Sequence, residues 1–129
     1  AQYRLTVDGP RQLSMTLADL EAEPTIGTIL PIACVEGWSI QAHWRGPRLL
    51  DLVRRVGGDS NSHVTVISLE HGAYSRSSLT GSQLEQAVLA THLNGSRINL
   101  DHGYPVRLIA PDRSGVLQTK WLTRIVVRP

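Results

Sequence analysis

The sequence predicts an α+β domain in which mixed β-sheets are flanked by a few short helices. Segments that alternate apolar and polar residues, or that are rich in β-branched residues, outnumber the segments with helical periodicity. The two kinds of segment follow one another in an irregular order, without a β-α repeat. Because 129 residues suffice for one domain and hardly for two, we expect a single domain over residues 1–129.

The first half of the chain combines strand patterns with two helix signals. Thr16 precedes an acidic residue by three positions, which is typical of a capping box at a helix start. Pro47 suits a first helical position, and the apolar residues after it repeat with helical spacing until Gly57, a good helix stop. The predicted strands are residues 3–9, 29–35 and 38–44, and the predicted helices are residues 16–22 and 47–57.

The second half begins with a strand rich in β-branched residues and ends with two more strands. Residues 82–93 predict a helix with Leu84, Ala87, Val88 and Thr91 on one face. The pair Asn94-Gly95 that follows is a strong turn signal. The predicted strands are residues 63–69, 105–110 and 121–127, with a polar segment at residues 70–81 and a loop at residues 111–120.

Composition excludes several classes of protein. A net charge of +2 without a run of basic residues argues against nucleic acid as a partner. No apolar run is long enough to span a bilayer. The single cysteine excludes an intrachain disulfide and a zinc site with several cysteines. The opening AQYRLTVDG already has a strand pattern, so we expect no signal peptide here and an origin in a longer protein.

Cys34 is the first residue with a chemical interpretation. It ends an apolar segment just before Glu36-Gly37. A lone cysteine is most often a small buried apolar residue. A thiolate between a strand and a turn is also a place where a soft metal could bind. The residues alone leave both interpretations open.

Three basic residues in the last third are the other candidates. Arg107 interrupts an apolar strand, where it is either exposed on the alternate face or a bidentate clamp for an anion such as phosphate. His102 precedes a bend made by Gly103 and Pro105. Lys120, the only lysine, follows a glycine-containing loop and is either a solvated residue or part of a site.

Taken together, the ordered motifs resemble one family. ACVEGWS followed by HWRGPRLLDLVRRVG is similar to the cysteine segment of sulfite oxidase-type molybdopterin-dependent oxidoreductases. HLNGSRINLDHGYPVRLIAPDRSGVLQTKWLTRIVV resembles the second half of their cofactor domain, and RLTVDGPRQLSMTLADLEA resembles its entry strand and helix. The resemblance covers about residues 3–127. It implies the sulfite oxidase-type fold and a bound molybdenum-molybdopterin cofactor.

The resemblance also assigns roles to residues. It implies that Cys34 is the metal ligand and the catalytic residue. It implies that five further residues bind the cofactor: His102, Arg107, Gly115, Gln118 and Lys120. Ser39, Tyr74 and Arg76 are weaker candidates for lining the pocket. The implied reaction is oxygen-atom transfer between the metal and a small oxo donor or acceptor.

Two departures from the family pattern bear on the expected substrate and on the expected cofactor contacts. Ser39 stands where sulfite-oxidising members have an arginine, so the chain resembles the bacterial branch with methionine sulfoxide reductase catalytic subunits. That branch implies an electron-transfer partner, either a membrane haem subunit or a quinone-linked subunit. It also implies a membrane-anchored protein in which this domain lies outside the cytoplasmic membrane. The chain also has almost nothing before its first strand, where longer members supply cofactor contacts.

Two other functions fit the sequence. The same fold with an incomplete cofactor site could serve as a non-catalytic binding or docking module. Alternatively, Cys34 could pair with His43, His71 or His102 as a cysteine hydrolase, which requires hydrogen-bond contact and an oxyanion hole.

Overall fold

The computed structural model describes residues 3–33, 39–69, 76–110 and 120–128, without the side chains of residues 30–33, 39–41 and 101. This part of the chain contains eleven strands, three short α-helices and one 3-10 helix. The strands are β1 (Arg4–Asp8), β2 (Gln12–Thr16), β3 (Thr25–Ala33), β4 (Ser39–Pro47), β5 (His63–Ser68), β6 (Arg76–Leu79), β7 (Val88–Ala90), β8 (His92–Leu93), β9 (Ser96–Arg97), β10 (Arg107–Ile109) and β11 (Leu122–Arg128). The helices are α1 (Leu17–Glu21), α2 (Leu49–Arg55), α3 (Gly81–Gln86) and the 3-10 helix η1 (Leu100–His102).

Three sheets of mixed direction form the fold. A five-stranded sheet has the order β2-β1-β11-β5-β6, in which only β1 and β11 run parallel. A four-stranded sheet has the order β3-β4-β8-β9, and β10 pairs antiparallel with β7 in a two-stranded sheet. This arrangement confirms the predicted α+β class.

The β7–β10 pair separates two hydrophobic cores. Successive strand residues point to opposite faces, so Leu89 and Leu108 face the main core of the five-stranded sheet and the helices. Val88, Ala90 and Ile109 face a smaller core, where they meet the inward face of β4 and Ile98. The smaller core therefore joins the two-stranded sheet to the four-stranded one.

Gly46 sets the distance between β4 and β7. A Cβ at this position would overlap the backbone carbonyl oxygen of Leu89 and lie 2.9 Å from the Cα of Ala90. Only a residue without a side chain permits this approach. The approach brings the inward side chains of β4, including Trp44, toward the strand pair that carries Arg107.

Several local predictions are confirmed. The first strand forms as β1, with Leu5 and Val7 buried. Thr16 caps α1, and the reciprocal capping box with Asp19 is present. Asn94 and Gly95, with φ of 51° and 89°, form the turn between β8 and β9. The strands predicted at residues 63–69, 105–110 and 121–127 correspond to β5, β10 and β11.

The predicted helix at residues 82–93 is wrong in its second half. It ends as α3 at Gln86, and Ala87 has an extended backbone with φ of −69° and ψ of 139°. Residues 88–90 are buried on both faces between the two cores and form β7 instead. Tertiary burial therefore overrides the helical spacing of the apolar residues.

The prediction that Pro47 opens a helix is also wrong. Pro47 is the last residue of β4 and pairs with Thr25. Arg48 stays extended, bridging to Val88, so α2 begins only at Leu49. Five strands were not predicted: β2, β6, β7, β8 and β9. In addition, β3 begins four residues earlier than expected.

Candidate functional site

Arg107 is the first residue of β10 and its side chain is buried, with 8% relative exposure. The β10–β7 register places Arg107 opposite Ala90, on the same face as Ile109. Because Ile109 faces the smaller core, the Arg107 side chain points the same way. Its Cζ lies 4.9 Å from the centroid of the Trp44 ring. Of the two interpretations of Arg107, exposure on the alternate face is therefore wrong.

The guanidinium of Arg107 has fewer partners than its burial demands. Nη1 donates to the carbonyl oxygen of His102 at 3.3 Å, while the buried Nε has no hydrogen-bond partner in the part of the chain that the structure describes. No acidic side chain in the described ranges forms an ion pair with it. Burial lowers the pKa of the Arg107 guanidinium, because loss of water disfavours the charged form.

A tight turn holds His102 and Arg107 together. The N–H of His102 donates to the side-chain oxygen of Asn99 at 2.9 Å, which caps η1. Gly103 follows with φ of +116°, and a cis peptide bond joins Tyr104 to Pro105. The chain thus reverses and enters β10 with the His102 carbonyl oxygen within reach of Arg107.

Lys120, which precedes β11, lies beside the same turn. A Cβ built on Gly103 would lie 3.0 Å from the Cβ of Arg107 and 3.2 Å from the Cβ of Lys120. The two basic side chains therefore begin on either side of one glycine. Lys120 is half-buried, and its Nζ lies 5.6 Å from the centroid of the Trp121 ring.

Two hydrogen bonds fix the segment that carries Lys120. The N–H of Leu122 donates to the carbonyl oxygen of Val106 at 3.0 Å. The ring Nε1 of Trp121 donates to the carbonyl oxygen of Leu100 at 2.7 Å. The structure thus brings together three predicted residues, His102, Arg107 and Lys120, in what we call the basic cluster.

Most of the other predicted residues lie in parts of the chain that the structure does not describe. Cys34, Gly115 and Gln118 lie outside the described residues, as do Tyr74 and His71. The side chain of Ser39 is not described either, and β3 ends at Ala33, immediately before Cys34 in the sequence. Arg76 is exposed on β6.

Sequence reasoning missed the role of Trp44, which it treated only as large apolar surface. The signal was present in β4: Ala42 and Trp44 are buried, whereas His43 and Arg45 are exposed. This alternation assigns Trp44 to the inward face. Its contact with Arg107, however, depends on the approach of β4 to β7.

A surface cavity of about 700 Å³ is lined by Gly27, Thr28, Ile29, His43, Trp44, Arg45, His92 and Gly95. Most of its walls belong to the outward face of β3 and β4, and none of the predicted cofactor residues lines it. In the described ranges, no group of three or more His, Cys, Asp or Glu side chains is arranged to hold a metal ion. None of the helices described here is long and apolar enough to cross a membrane.

The arrangement fits a bound anion. A buried cation without a counter-charge is costly, and an anion that hydrogen bonds to it removes the cost. The unpaired Nε of Arg107 is accompanied by Lys120 and by the turn at His102. The fold and the basic cluster therefore describe an α+β domain with a site suited to an anionic group.

Comparison with known proteins shows which family this is. The model of the oxidoreductase molybdopterin binding domain matches residues 1–129. Sulfite oxidase of Gallus gallus is 32% identical over 162 aligned positions, which cover 100% of this chain and 35% of the relative. The putative protein-methionine-sulfoxide reductase subunit YedZ1 of Azospira oryzae is 26% identical over 129 positions, which cover 98% of this chain and 49% of the relative.

A solved structure agrees in fold. The sulfane dehydrogenase SoxCD from Paracoccus pantotrophus superposes with a TM-score of 0.85 at 22% identity, covering 98% of this chain and 38% of that one. The chain spans about a third to a half of the length of the relatives named here.

The chain belongs to the oxidoreductase molybdopterin binding domain family. The expected family is confirmed, and with it the sulfite oxidase-type fold and the molybdopterin cofactor. The basic cluster is compatible with an anionic cofactor, because the buried Arg107 has no acidic partner and an unpaired Nε among the described residues.

Proposed function

We propose that this domain catalyses oxygen-atom transfer at a molybdenum centre ligated by Cys34, and that the basic cluster binds the anionic end of the cofactor. The observation that carries the proposal is Arg107: buried, without an acidic partner in the described ranges, and with Nε open. When bound, the group supplies a redox centre that exchanges two electrons with a small oxo donor or acceptor.

Each residue of the basic cluster has a proposed task. Arg107 donates from its guanidinium to the anionic group, and Lys120 adds a second positive charge beside it. His102 keeps the Arg107 guanidinium in place through its carbonyl oxygen and offers its half-buried ring to the pterin. Gly115 and Gln118, from the loop that leads to Lys120, complete the cofactor contacts.

The proposed role of Cys34 rests on chemistry and on its place in the chain. It is the only cysteine, and thiolate is a soft ligand suited to a metal that changes oxidation state. β3, which precedes it, pairs along its whole length with β4, the strand that carries Trp44. The same hairpin therefore carries the metal ligand and one wall of the basic cluster.

Substrate and partner follow from the same assignment. Ser39 in place of an arginine makes sulfite a poor substrate, so we propose another small oxo compound. The alignment with YedZ1 is as long as this chain, whereas the alignment with chicken sulfite oxidase needs 162 positions. The lengths favour the compact bacterial branch. We further propose that residues 1–129 form one domain and that electrons pass to or from a separate haem-bearing or quinone-linked partner.

Metal analysis of the purified domain tests the proposal. After expression in a host that makes the cofactor, we expect near-stoichiometric molybdenum by mass spectrometry, together with released oxidised pterin. A folded wild-type sample without molybdenum would instead favour the non-catalytic module. Rapid alkylation of Cys34 near neutral pH would favour the hydrolase, since a metal-bound thiolate reacts slowly.

Two variants test the roles proposed for Arg107 and Cys34. Arg107→Ala removes charge-assisted hydrogen bonds worth about 1.5–3 kcal/mol, so we expect roughly 10- to 100-fold weaker cofactor retention. Arg128→Ala is the matched control, because Arg128 is exposed at the far end of β11 from Lys120. Cys34→Ser is expected to abolish turnover while circular dichroism shows an intact fold. Unchanged molybdenum in Arg107→Ala, or full turnover in Cys34→Ser, would contradict the respective assignment.

A further inference from the structure

The ring beneath Arg107 is a fixed part of the fold. Trp44 is the largest fully buried side chain among the described residues, with 1% relative exposure. Its ring lies in the smaller core with Ala42, Val88 and Ile109. The alternation of β4 and the close approach at Gly46 determine its position. The platform under Arg107 is therefore built by the backbone, before any cofactor binds.

Arg107 needs this platform because its other anchor is weak. Within the described residues, its one hydrogen bond is the 3.3 Å contact from Nη1 to the His102 carbonyl oxygen. A single contact leaves the guanidinium plane free to rotate about that bond. The Cζ–ring distance of 4.9 Å lies within the range of a cation–π interaction, and the contact is desolvated on both sides.

The orientation of that plane determines what Arg107 can bind. A guanidinium recognises an anion through donors in a rigid fork, so its plane must face the anion. Holding the plane before the anion arrives removes the entropy cost of ordering it during binding. The Trp44 ring contacts the guanidinium from one side, and Nε has no hydrogen-bond partner among the described residues.

We infer that Trp44 is a positioning residue: it orients the guanidinium of Arg107 for hydrogen bonding to the anionic group of the cofactor. This inference rests on the proposed function of the basic cluster. Trp44 acts through Arg107 and has no assigned contact with the cofactor or the substrate.

The test uses the cofactor-free domain, expressed in a host that cannot make molybdopterin, with inorganic phosphate as the probe. The Nε–Hε signal of Arg107 is recorded by ¹⁵N NMR and identified by its loss in Arg107→Ala. In the wild type we expect this signal to be shifted upfield by the Trp44 ring and to move on addition of phosphate. Trp44→Phe keeps a ring and should retain phosphate affinity within about threefold. Trp44→Leu should weaken it roughly 5- to 30-fold.

Controls separate positioning from stability. Ile98→Ala empties part of the same core without removing the ring, so it should lower Tm and leave phosphate affinity unchanged. If Trp44→Leu does not fold, the ring-current shifts of wild type and Trp44→Phe decide the question. An Arg107 signal at the position of an exposed arginine, or wild-type affinity in folded Trp44→Leu, would overturn the inference. If the wild-type Arg107 signal is ring-shifted but does not move on addition of phosphate, the result counts against the anion-binding role of Arg107 and leaves Trp44 as its anchor.

Discussion

Gly103 offers a direct test of how closely the basic cluster is packed. Its φ of +116° is a region that residues with a side chain rarely adopt, which costs about 1–3 kcal/mol in Gly103→Ala. The new Cβ would also lie 3.0 Å from the Cβ of Arg107 and 3.2 Å from the Cβ of Lys120. Neither Cβ can move by a change of rotamer, so the backbone must shift, at a further cost of about 1–3 kcal/mol. We therefore expect a loss of about 2–6 kcal/mol in the free energy of unfolding.

Gly95→Ala is the matched control for this experiment. Gly95 also has a positive φ, +89°, but a Cβ there would meet nothing within 4 Å. It therefore carries the backbone cost alone, about 1–3 kcal/mol. Urea unfolding of both variants gives the two losses, and their difference measures how closely Arg107 and Lys120 pack against Gly103.

The same pair of variants connects packing to function. Separating Arg107 from Lys120 should reduce the molybdenum content of Gly103→Ala, while Gly95→Ala should retain the wild-type content. The reasoning is wrong if Gly103→Ala costs no more than Gly95→Ala. Equal loss of molybdenum in both variants would likewise show that stability, and not the spacing of the two basic residues, controls retention.

Two further predictions concern the strands around the site. Tyr3→Phe removes a hydrogen bond of 2.6 Å to the carbonyl oxygen of Leu122 and should lower the free energy of unfolding by about 1–2 kcal/mol in urea; no loss would mean that water replaces the bond. Hydrogen bonds from Arg97 lower the pKa of Glu21 from its ordinary value of 4.5. This contribution to stability is present above the pKa of the unfolded chain and is lost as pH falls through the lower folded pKa. Below pH 4.5, Tm should therefore fall more steeply in the wild type than in Glu21→Gln, and parallel curves would refute the assignment.

Local signals predicted the elements that depend on local chemistry. The alternation of Leu5 and Val7 and the capping box at Thr16 each predict a structure that forms. Two of the missed strands, β2 and β6, are the edge strands of the five-stranded sheet. An edge strand can carry many exposed polar residues, and so it lacks a clear hydrophobic pattern.

The site was predictable only in part. Family resemblance named His102, Arg107 and Lys120, and the structure brings these three together. Trp44 could not be assigned to Arg107, because their contact depends on the close approach at Gly46. The helix expected through Val88 failed for a related reason, since its burial between two cores is a property of the whole fold.

The place of β11 in the five-stranded sheet has a consequence for biosynthesis. β11 is the last of the described strands in sequence, yet it lies between β1 and β5. During translation, the facing edges of β1 and β5 therefore stay unpaired until residues 122–128 leave the ribosome. Unpaired strand edges promote aggregation. The same strand carries Lys120 to Arg107 through the bond between Leu122 and Val106. A nascent chain should thus acquire its central sheet and its capacity to hold the cofactor in one late step, so cofactor insertion must follow synthesis of this domain.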